Sequence, residues 1–412
     1  MTFFRQVPPL LLALAATACT ASEPGHEPTE PECRTSAQCS GDKPLCSQQG
    51  ACVSLPAGYP LGVSDGSPLS VYFVPVYQPE RPLEATDLAF HPDRPNELWV
   101  IRREFDSSKP CDEKNKSAQG CSALEGTLAV VFDAGTPQVS WTTFKDPNAW
   151  HFMRRPPALA FGDGGTFATV GEARTANFLD DPVDYMGPTL WSADLSKFAV
   201  QPPGLNGSHL DMVHAAPFAM GIAHEQGNAY WVFNGHHGSL DRFDFMQDHG
   251  PGNEFHGDAA VKRYVTGQLA RVPNIPSHMV LDKTTRQLYV ADTGHGRIVK
   301  LGIDSGSPGA KLVPNYDELQ TAHAVDGAAL VEVVATGTLT APSGIELYQG
   351  LLYVSDNATS RIYAFDLDGN LVRQLDTGMP PGTLAGLAFG SDDLLYFVDK
   401  PKAMVYRIER IL

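Results

Sequence analysis

The clearest pattern in the chain is a short apolar run that ends in a polar turn and returns as a second run. Residues 286–304 read RQLYVADTGHGRIVKLGID. Leu288 to Ala291 form an uninterrupted apolar stretch, which is typical of a strand buried on both faces. Asp292 ends that stretch, Thr293 to Gly296 supply a polar turn with glycines, and residues 297–301 return with partial alternation. The segment therefore predicts two antiparallel strands joined by a tight turn.

This pattern recurs along the chain and predicts the fold. Further copies occupy residues 98–104, 167–174, 229–245, 351–369 and 394–409. A second short strand precedes each copy, at residues 86–92, 157–163, 220–225, 277–282, 343–348 and 385–391. Strand repeats of roughly 40–50 residues indicate propeller blades rather than solenoid turns. We predict an all-β fold, a six-bladed β-propeller over residues 69–412. A strand at 70–78 should close the ring against residues 394–409.

One position of the repeat is mostly Asp or Asn. It carries Asn234, Asp292, Asp356 and Asp399 in the last four units. These side chains readily bond backbone amides two residues further on. We therefore expect them to fix turns, with ligand binding as the less favoured alternative.

The repeats resemble a known family. LYVADTGHGRIVKL and LYVSDNATSRIYAFDLDGN are similar to the repeats of NHL-type six-bladed propellers, and the resemblance extends over residues 217–409. It implies the propeller fold. It does not imply an activity, because many unrelated functions share this architecture.

The N-terminus reads as a targeting segment. Arg5 precedes a short apolar core, Leu10 to Ala16, which is too short to span a bilayer. The sequence ATAC at 16–19 resembles the lipobox of bacterial lipoproteins. That resemblance implies a signal peptide over residues 1–19, lipidation of Cys19, and a lipid anchor in the bacterial envelope, at the outer membrane or cell surface. The alternative is ordinary cleavage near Ala18 or Ala21, which would release a secreted protein. Residues 20–32 have the composition of a disordered tether.

The other six cysteines predict disulfides. Cys33, Cys39, Cys46 and Cys52 define a cysteine-rich module at 33–53, and Cys111 and Cys121 bracket a polar insertion in the first blade. Six cysteines in an exported chain favour three disulfides. A zinc site is the alternative for the module, although its spacings lack the close pairs of common zinc sites. The sequence leaves the pairing within the module open.

The net charge of the chain limits the kinds of partner that it can bind. The formal net charge is −17, with 30 basic and 47 acidic side chains. Nucleic-acid binding needs a basic surface, so we expect no nucleic-acid partner. The predicted partners are the membrane, through the lipid anchor, and an unidentified ligand or protein.

Histidines concentrate in one sector of the predicted ring. Nine of the 13 lie between His209 and His295. Counting strands places several of them on one face of blades three and four, and places His224, His249 and His256 toward the opposite face. Imidazoles and a carboxylate suit a divalent metal, zinc or calcium. The predicted metal ligands are His209, Asp211, His214, His236, His237 and His278. The alternative is that these histidines bond backbone groups and hold loops in place.

These observations favour a cell-surface lipoprotein whose propeller presents a His/Asp-rich face for a ligand, metal or partner. The alternative is a metal-dependent hydrolase or lyase. The sequence of residues 342–370 resembles gluconolactonase-like propellers. Peptide-amidating lyases share the architecture and carry a histidine, in a Pro-His pair, at the start of several inner strands. The equivalent positions here are Pro157, Met220, Ser277 and Ser343, so those zinc ligands do not carry over. A scaffold for protein interactions is a third class. No residue emerges as catalytic.

Overall fold

The computed structural model describes most of the propeller and parts of the N-terminal region. The described residues are 32–34, 38–39, 43, 45–46, 51–54, 57–62, 71–80, 83–105, 124–177, 181–253 and 255–410. The chain divides into two compact units, Met1–Leu55 with Leu412, and Pro56–Ile411. The predicted signal peptide, Cys19, nearly all of the tether, Cys111 and Cys121 lie outside the described residues.

The first unit contains a small disulfide-bonded hairpin. β1 (Leu45–Cys46) pairs antiparallel with β2 (Cys52–Val53). Disulfides join Cys33 to Cys46 and Cys39 to Cys52. The prediction of disulfides is confirmed for these four cysteines, and the structure supplies the pairing that the sequence left open. Zinc requires free thiolates, so cysteines joined in this way do not serve as its ligands.

The second unit is a ring of six antiparallel blades, as the repeats predict. Strands run outward from the centre of the ring in chain order in most blades. Blade one contains β4 (Glu84–His91), β5 (Arg94–Phe105), β6 (Leu124–Phe132) and β7 (Ser140–Phe144). Blade two contains β8 (Leu159–Phe161), β9 (Thr166–Thr169), β10 (Thr189–Ser192) and β11 (Asp211–Met212). Blade three contains β12 (Ala219–Gln226), β13 (Ala229–Asn234), β14 (Ser239–Asp244) and β15 (Ala260–Tyr264). Blade four contains β16 (Met279–Asp282), β17 (Gln287–Asp292), β18 (Arg297–Gly302) and β21 (Leu330–Val334). Blade five contains β22 (Pro342–Tyr348), β23 (Leu351–Asp356), β24 (Arg361–Asp366) and β25 (Leu371–Asp376). Blade six contains β26 (Leu384–Phe389), β27 (Leu395–Asp399), β28 (Met404–Arg410) and β3 (Val71–Tyr77).

Helix is scarce in the described part of the chain. It comprises α1 (Ala149–Phe152) and the 3-10 turns Tyr59–Leu61, Thr293–His295 and Lys400–Lys402. None of the described helices has the length and hydropathy needed to cross a bilayer.

The ring closes with a strand from each end of the propeller, as predicted. β3 pairs antiparallel with β28, from Tyr77 opposite Val405 to Val71 opposite Arg410. β3 is thus the outermost strand of blade six. Pro75 lies within it. A proline cannot donate to a sheet ladder, so it belongs on an edge strand of this kind.

The apolar core lies between neighbouring blades, which explains the uninterrupted apolar runs. Successive side chains of a strand point to opposite faces of the sheet. In β13, Tyr230 and Val232 pack toward blade two, whereas Trp231 and Phe233 pack toward blade four. All four side chains are buried. A strand between two blades therefore needs apolar residues at every position, and replacing such a tryptophan with alanine costs about 3–5 kcal/mol.

An insertion from blade four extends blade three, which the repeat pattern did not predict. β19 (Ser307–Lys311) and β20 (Thr321–Asp326) lie in the sequence between β18 and β21. β20 pairs in parallel with β15, so blade three has six strands. The loop between β19 and β20 contributes Leu319 to the core between blades two and three.

Candidate functional site

Asp211 is the predicted site residue with the most unusual surroundings. It begins β11, the outermost strand of blade two, and is fully buried. One carboxylate oxygen, Oδ1, accepts hydrogen bonds from His256 Nδ1 at 2.6 Å and from the Met212 amide at 2.7 Å. The other oxygen, Oδ2, is buried without a hydrogen-bond partner among the described residues. Burial raises the pKa of Asp211, and the bond from His256 opposes that rise. An unpaired buried carboxylate oxygen is costly.

Two further ligand-type side chains lie beside Asp211. One donor atom each of Asp211, His249 and Asp258 lies within 4.8 Å of the others. His249 Nε2 is 3.1 Å from Asp258 Oδ1. Both belong to the long loop between β14 and β15, and both are half-buried. Two carboxylates and an imidazole at this spacing are the donor types of a divalent transition-metal site.

The loop between β14 and β15 reaches these residues because it crosses to blade two. The Gly252 amide donates to the His209 carbonyl at 2.7 Å, and the Asn206 amide donates to the Gly252 carbonyl. Gly252 has φ 78°, and a Cβ there would lie 2.7 Å from Leu205 Cβ, so a side chain would disrupt this contact.

The prediction that His249 and His256 lie on the face opposite Asp211 is therefore wrong. The prediction from strand counting assumes that each loop stays over its own blade. This loop crosses to β11, which is only two residues long.

His209 does not join this group and has a packing role. Its ring stacks on Phe152 with 3.7 Å between centroids. Its Nδ1 lies 2.9 Å from the Asn206 carbonyl oxygen and donates to it. The side chain is fully buried. The Nδ1 contact matches the alternative interpretation, that of a histidine that bonds a backbone group and holds a loop in place.

His214 is held by the blade-four insertion. Its Nδ1 donates to Asp317 Oδ1 at 2.9 Å, and its amide donates to Asp317 Oδ2 at 2.6 Å. Its ring stacks on Tyr185 with 3.7 Å between centroids. The second ring nitrogen, Nε2, is buried without a hydrogen-bond partner in the described part of the chain. Burial lowers the pKa of His214, and Asp317 opposes that change.

Two cavities meet at His214. A small cavity of about 70 Å³ is lined by His214, His236 and His237, three of the predicted metal ligands, and by Arg263. Burial and the charge of Arg263 lower the pKa of His237 to about 4.

The second cavity, of about 290 Å³, has a more aromatic lining. It is lined by His151, Tyr185, His214, His256 and Tyr316. His256, which supports Asp211, is thus also a wall of this larger cavity.

His278 has different hydrogen-bond partners from these histidines. Its Nε2 is 3.1 Å from the Pro157 carbonyl oxygen, and its Nδ1 is 3.5 Å from Asp87 Oδ1. Of the six predicted metal ligands, only Asp211 belongs to a described group of donor atoms close enough to share an ion.

Sequence reasoning missed the roles of His249, His256, Asp258 and Asp317. The first three lie in DHGPGNEFHGD, residues 248–258. The density of histidine and aspartate in that segment is a signal that could have found them. Asp317 gave no comparable signal, because only the position of the insertion brings it to His214.

Comparison with known proteins identifies the architecture. No family model and no curated protein matches the chain. Among solved structures, an auxiliary nutrient binding protein from Bacteroides thetaiotaomicron VPI-5482 matches with a TM-score of 0.51 at 9% identity, over 82% of this chain and 75% of that one. One from Bacteroides ovatus ATCC 8483 matches with a TM-score of 0.49 at 12% identity, over 82% and 73%. A gluconolactonase from Xanthomonas campestris matches with a TM-score of 0.44 at 13% identity, over 86% and 93%. At these identities the likeness concerns the fold alone.

Proposed function

We propose that this protein is a lipid-anchored binding protein of the bacterial envelope, and that its His/Asp-rich sector binds a divalent metal ion through Asp211, His249 and Asp258. The observation that carries the proposal is that three donor atoms lie within 4.8 Å of one another. One of them belongs to a fully buried carboxylate, one oxygen of which has no hydrogen-bond partner among the residues that the structure describes. The propeller fold has support from the comparisons, whereas membership in the NHL-type family stays a prediction.

The donor set favours zinc or a similar transition ion over calcium. Calcium prefers six to eight oxygen ligands, whereas zinc accepts nitrogen and carboxylate ligands at about 2.0–2.2 Å. An ion here would replace the proton between His249 Nε2 and Asp258 Oδ1, which are now 3.1 Å apart. His256 would stay on Asp211 Oδ1 and orient the carboxylate, as outer partners of metal ligands commonly do.

Metal titration of the metal-free full-length protein tests this proposal. We expect one zinc ion per chain by isothermal titration calorimetry. Asp211→Asn, His249→Gln and Asp258→Asn should each lower the affinity at least about 100-fold, because losing outer partners alone costs 10–100-fold. Asp93→Asn removes an exposed carboxylate and is the matched control. Wild-type affinity in the Asp211→Asn variant would contradict the site.

A metal-dependent hydrolase or lyase is the second candidate. Three protein ligands leave a coordination position open, as catalytic zinc sites do. The cavity of about 290 Å³ is next to the proposed ion, since His256 both supports Asp211 and lines that cavity. Turnover of a lactone or ester that disappears in Asp211→Asn would favour this candidate over simple binding.

The anchoring part of the proposal rests on ATAC at 16–19. A lipid-modified cysteine carrying several acyl chains attaches stably, whereas a single chain is marginal. We expect Cys19→Ala to move the protein from the membrane fraction to the soluble fraction of the producing bacterium. Wild-type protein that is soluble without detergent would contradict lipidation.

A further inference from the structure

Three arginine side chains surround one carboxylate on the face of the ring where the inner strands begin. Arg103 lies near the end of β5, Arg155 precedes β8, and Arg271 belongs to the loop between β15 and β16. The carboxylate is that of Glu172, three residues after β9. The three arginines, here called the arginine cluster, come from separate parts of the chain, so the fold brings them together.

Arg103 is the buried member of the arginine cluster. Its Nε donates to the Pro156 carbonyl oxygen at 3.0 Å, and its Nη2 donates to Glu172 Oε2 at 2.9 Å. The side chain is fully buried, and Nη1 has no hydrogen-bond acceptor among the described residues. A buried charged donor without an acceptor is costly, so the cluster contains a donor that the protein leaves unused.

Arg155 and Arg271 are closer to solvent. Arg271 Nη1 is 3.4 Å from Glu172 Oε1, and its guanidinium lies 4.2 Å from the centroid of the Phe218 ring. Its side chain is 22% exposed. Arg155 is half-buried, and its Nη2 donates to the side-chain oxygen of Asn274 at 2.6 Å. Both guanidinium groups therefore keep N–H donors within reach of a ligand.

Glu172 cannot balance the charge of the cluster. Besides the two arginines, the Asn274 amide donates to its Oε1 at 2.7 Å. Arg155 forms no ion pair with a carboxylate in the described part of the chain. Burial and the charge of Arg103 lower the pKa of Arg155, and Arg271 adds a smaller effect in the same direction. The arginines thus repel one another with too little negative charge between them.

The next carboxylate does not change this balance. The charge of Glu84 opposes the fall in the pKa of Arg155. Glu84, however, has a cation of its own, because Lys400 Nζ lies 3.1 Å from its Oε1. The arginine cluster and Lys400 together carry two more positive charges than Glu172 and Glu84 carry negative ones.

The chemistry of the cluster limits what can bind. A cation would be repelled, and a neutral compound would leave the positive charge unbalanced. The guanidinium fork matches the paired oxygens of carboxylate and phosphate groups. The chain as a whole has a formal net charge of −17, so this local excess of positive charge is not a general property of the protein. These points favour an anionic ligand.

We propose that the arginine cluster binds a small oxoanion, the carboxylate or phosphate group of a soluble compound, which Arg155 and Arg271 contact while buried Arg103 adds positive charge. The site shares no residue with the group of Asp211, His249 and Asp258, so it does not depend on the proposed metal binding.

Calorimetry with inorganic phosphate and with succinate tests the proposal and distinguishes the two classes of oxoanion. Metal-free full-length protein is titrated in Tris–chloride at pH 7.5, with sodium chloride holding the ionic strength constant. We expect one ion per chain with a Kd below about 1 mM for at least one of the two compounds. Tighter binding of phosphate would indicate a phosphorylated ligand, and tighter binding of succinate a carboxylic acid.

Single substitutions locate the binding. Arg155→Gln and Arg271→Gln should each weaken it at least about 10-fold, because each removes charged hydrogen-bond donors. Arg361→Gln is the matched control, since Arg361 is partly exposed and bonds to Asp376 at 3.0 Å, and it should leave the affinity unchanged.

The wild-type titration is decisive without any variant. Absence of saturable binding of both compounds at constant ionic strength would overturn the proposal. So would unchanged affinity in Arg155→Gln or Arg271→Gln, or an equal loss in the control, which would indicate attraction by overall charge. Zinc binding elsewhere has no bearing on these outcomes, because the protein is metal-free.

Discussion

Individual histidines of blades two and three differ in how strongly their surroundings disfavour a positive charge. His214 is buried, which lowers its pKa, while Asp317 works in the opposite direction. His237 has a pKa lowered to about 4, because burial and Arg263 both disfavour its protonated form. Arg263 itself is bound to the fully buried Asp241. Burial and the positive charge of Arg263 therefore keep His237 neutral at physiological pH, although Asp241 acts in the opposite direction.

This low pKa predicts an acid-sensitive contribution to stability. The unfolded His237 has a pKa near ~6.5, so between pH 6.5 and 4 the unfolded chain binds a proton that the folded chain does not. The free energy of unfolding should fall as pH falls through that window. His237→Gln should show a smaller fall, measured as the urea midpoint at pH 7.5 and at pH 4.5. Equal falls in the variant and the wild type would count against this assignment.

The residue-scale features that sequence could predict are local ones. Asn234 accepts hydrogen bonds from the amides of His236 and His237, and Asp356 accepts them from Ala358 and Thr359. Those bonds depend on neighbours in the chain, so the repeat position revealed them. The partners of Asp211 come from another blade, 38 and 45 residues away for His249 and His256 respectively by residue number, and no local pattern links their segment to Asp211.

At the scale of elements, the repeated apolar strands were predictable, whereas the two-residue strand β11 and the inserted strands were not. β13 and β23 are buried on both faces, and their uninterrupted apolar residues marked them in the sequence. β11 has two residues, too few for a periodic signal. β20 leaves its own blade to pair in parallel with β15. Sequence order gives no indication of such a partner, because neighbouring strands usually pair within one blade.

At the scale of the whole molecule, the β3–β28 pairing holds the ring together. The 3-10 turn before β3 also contributes, since Leu61 packs in the core of blades five and six and the Ala57 carbonyl accepts a bond from Arg373. A chain starting at residue 57 should therefore keep the complete propeller.

A matched pair of truncations tests this closure. The chain that starts at residue 57 should unfold at nearly the wild-type temperature. A chain that starts at residue 81 lacks β3, exposes the edge of β28, and should unfold at lower temperature and aggregate. Thermal unfolding with light scattering measures both. If the two truncated proteins behave alike, the closing strand is not needed for stability.

The same pairing has a consequence for the order of events during synthesis. β3 emerges before any blade is complete, and its partner β28 is made last. Five blades can assemble from strands that follow one another, whereas the sixth must wait for the end of the propeller. Until then β3 has no permanent neighbour, and the proline at residue 75 interrupts the row of amide donors that another nascent chain would need. A residue that donates no hydrogen bond to the finished sheet thus protects the protein during the interval before the ring is closed.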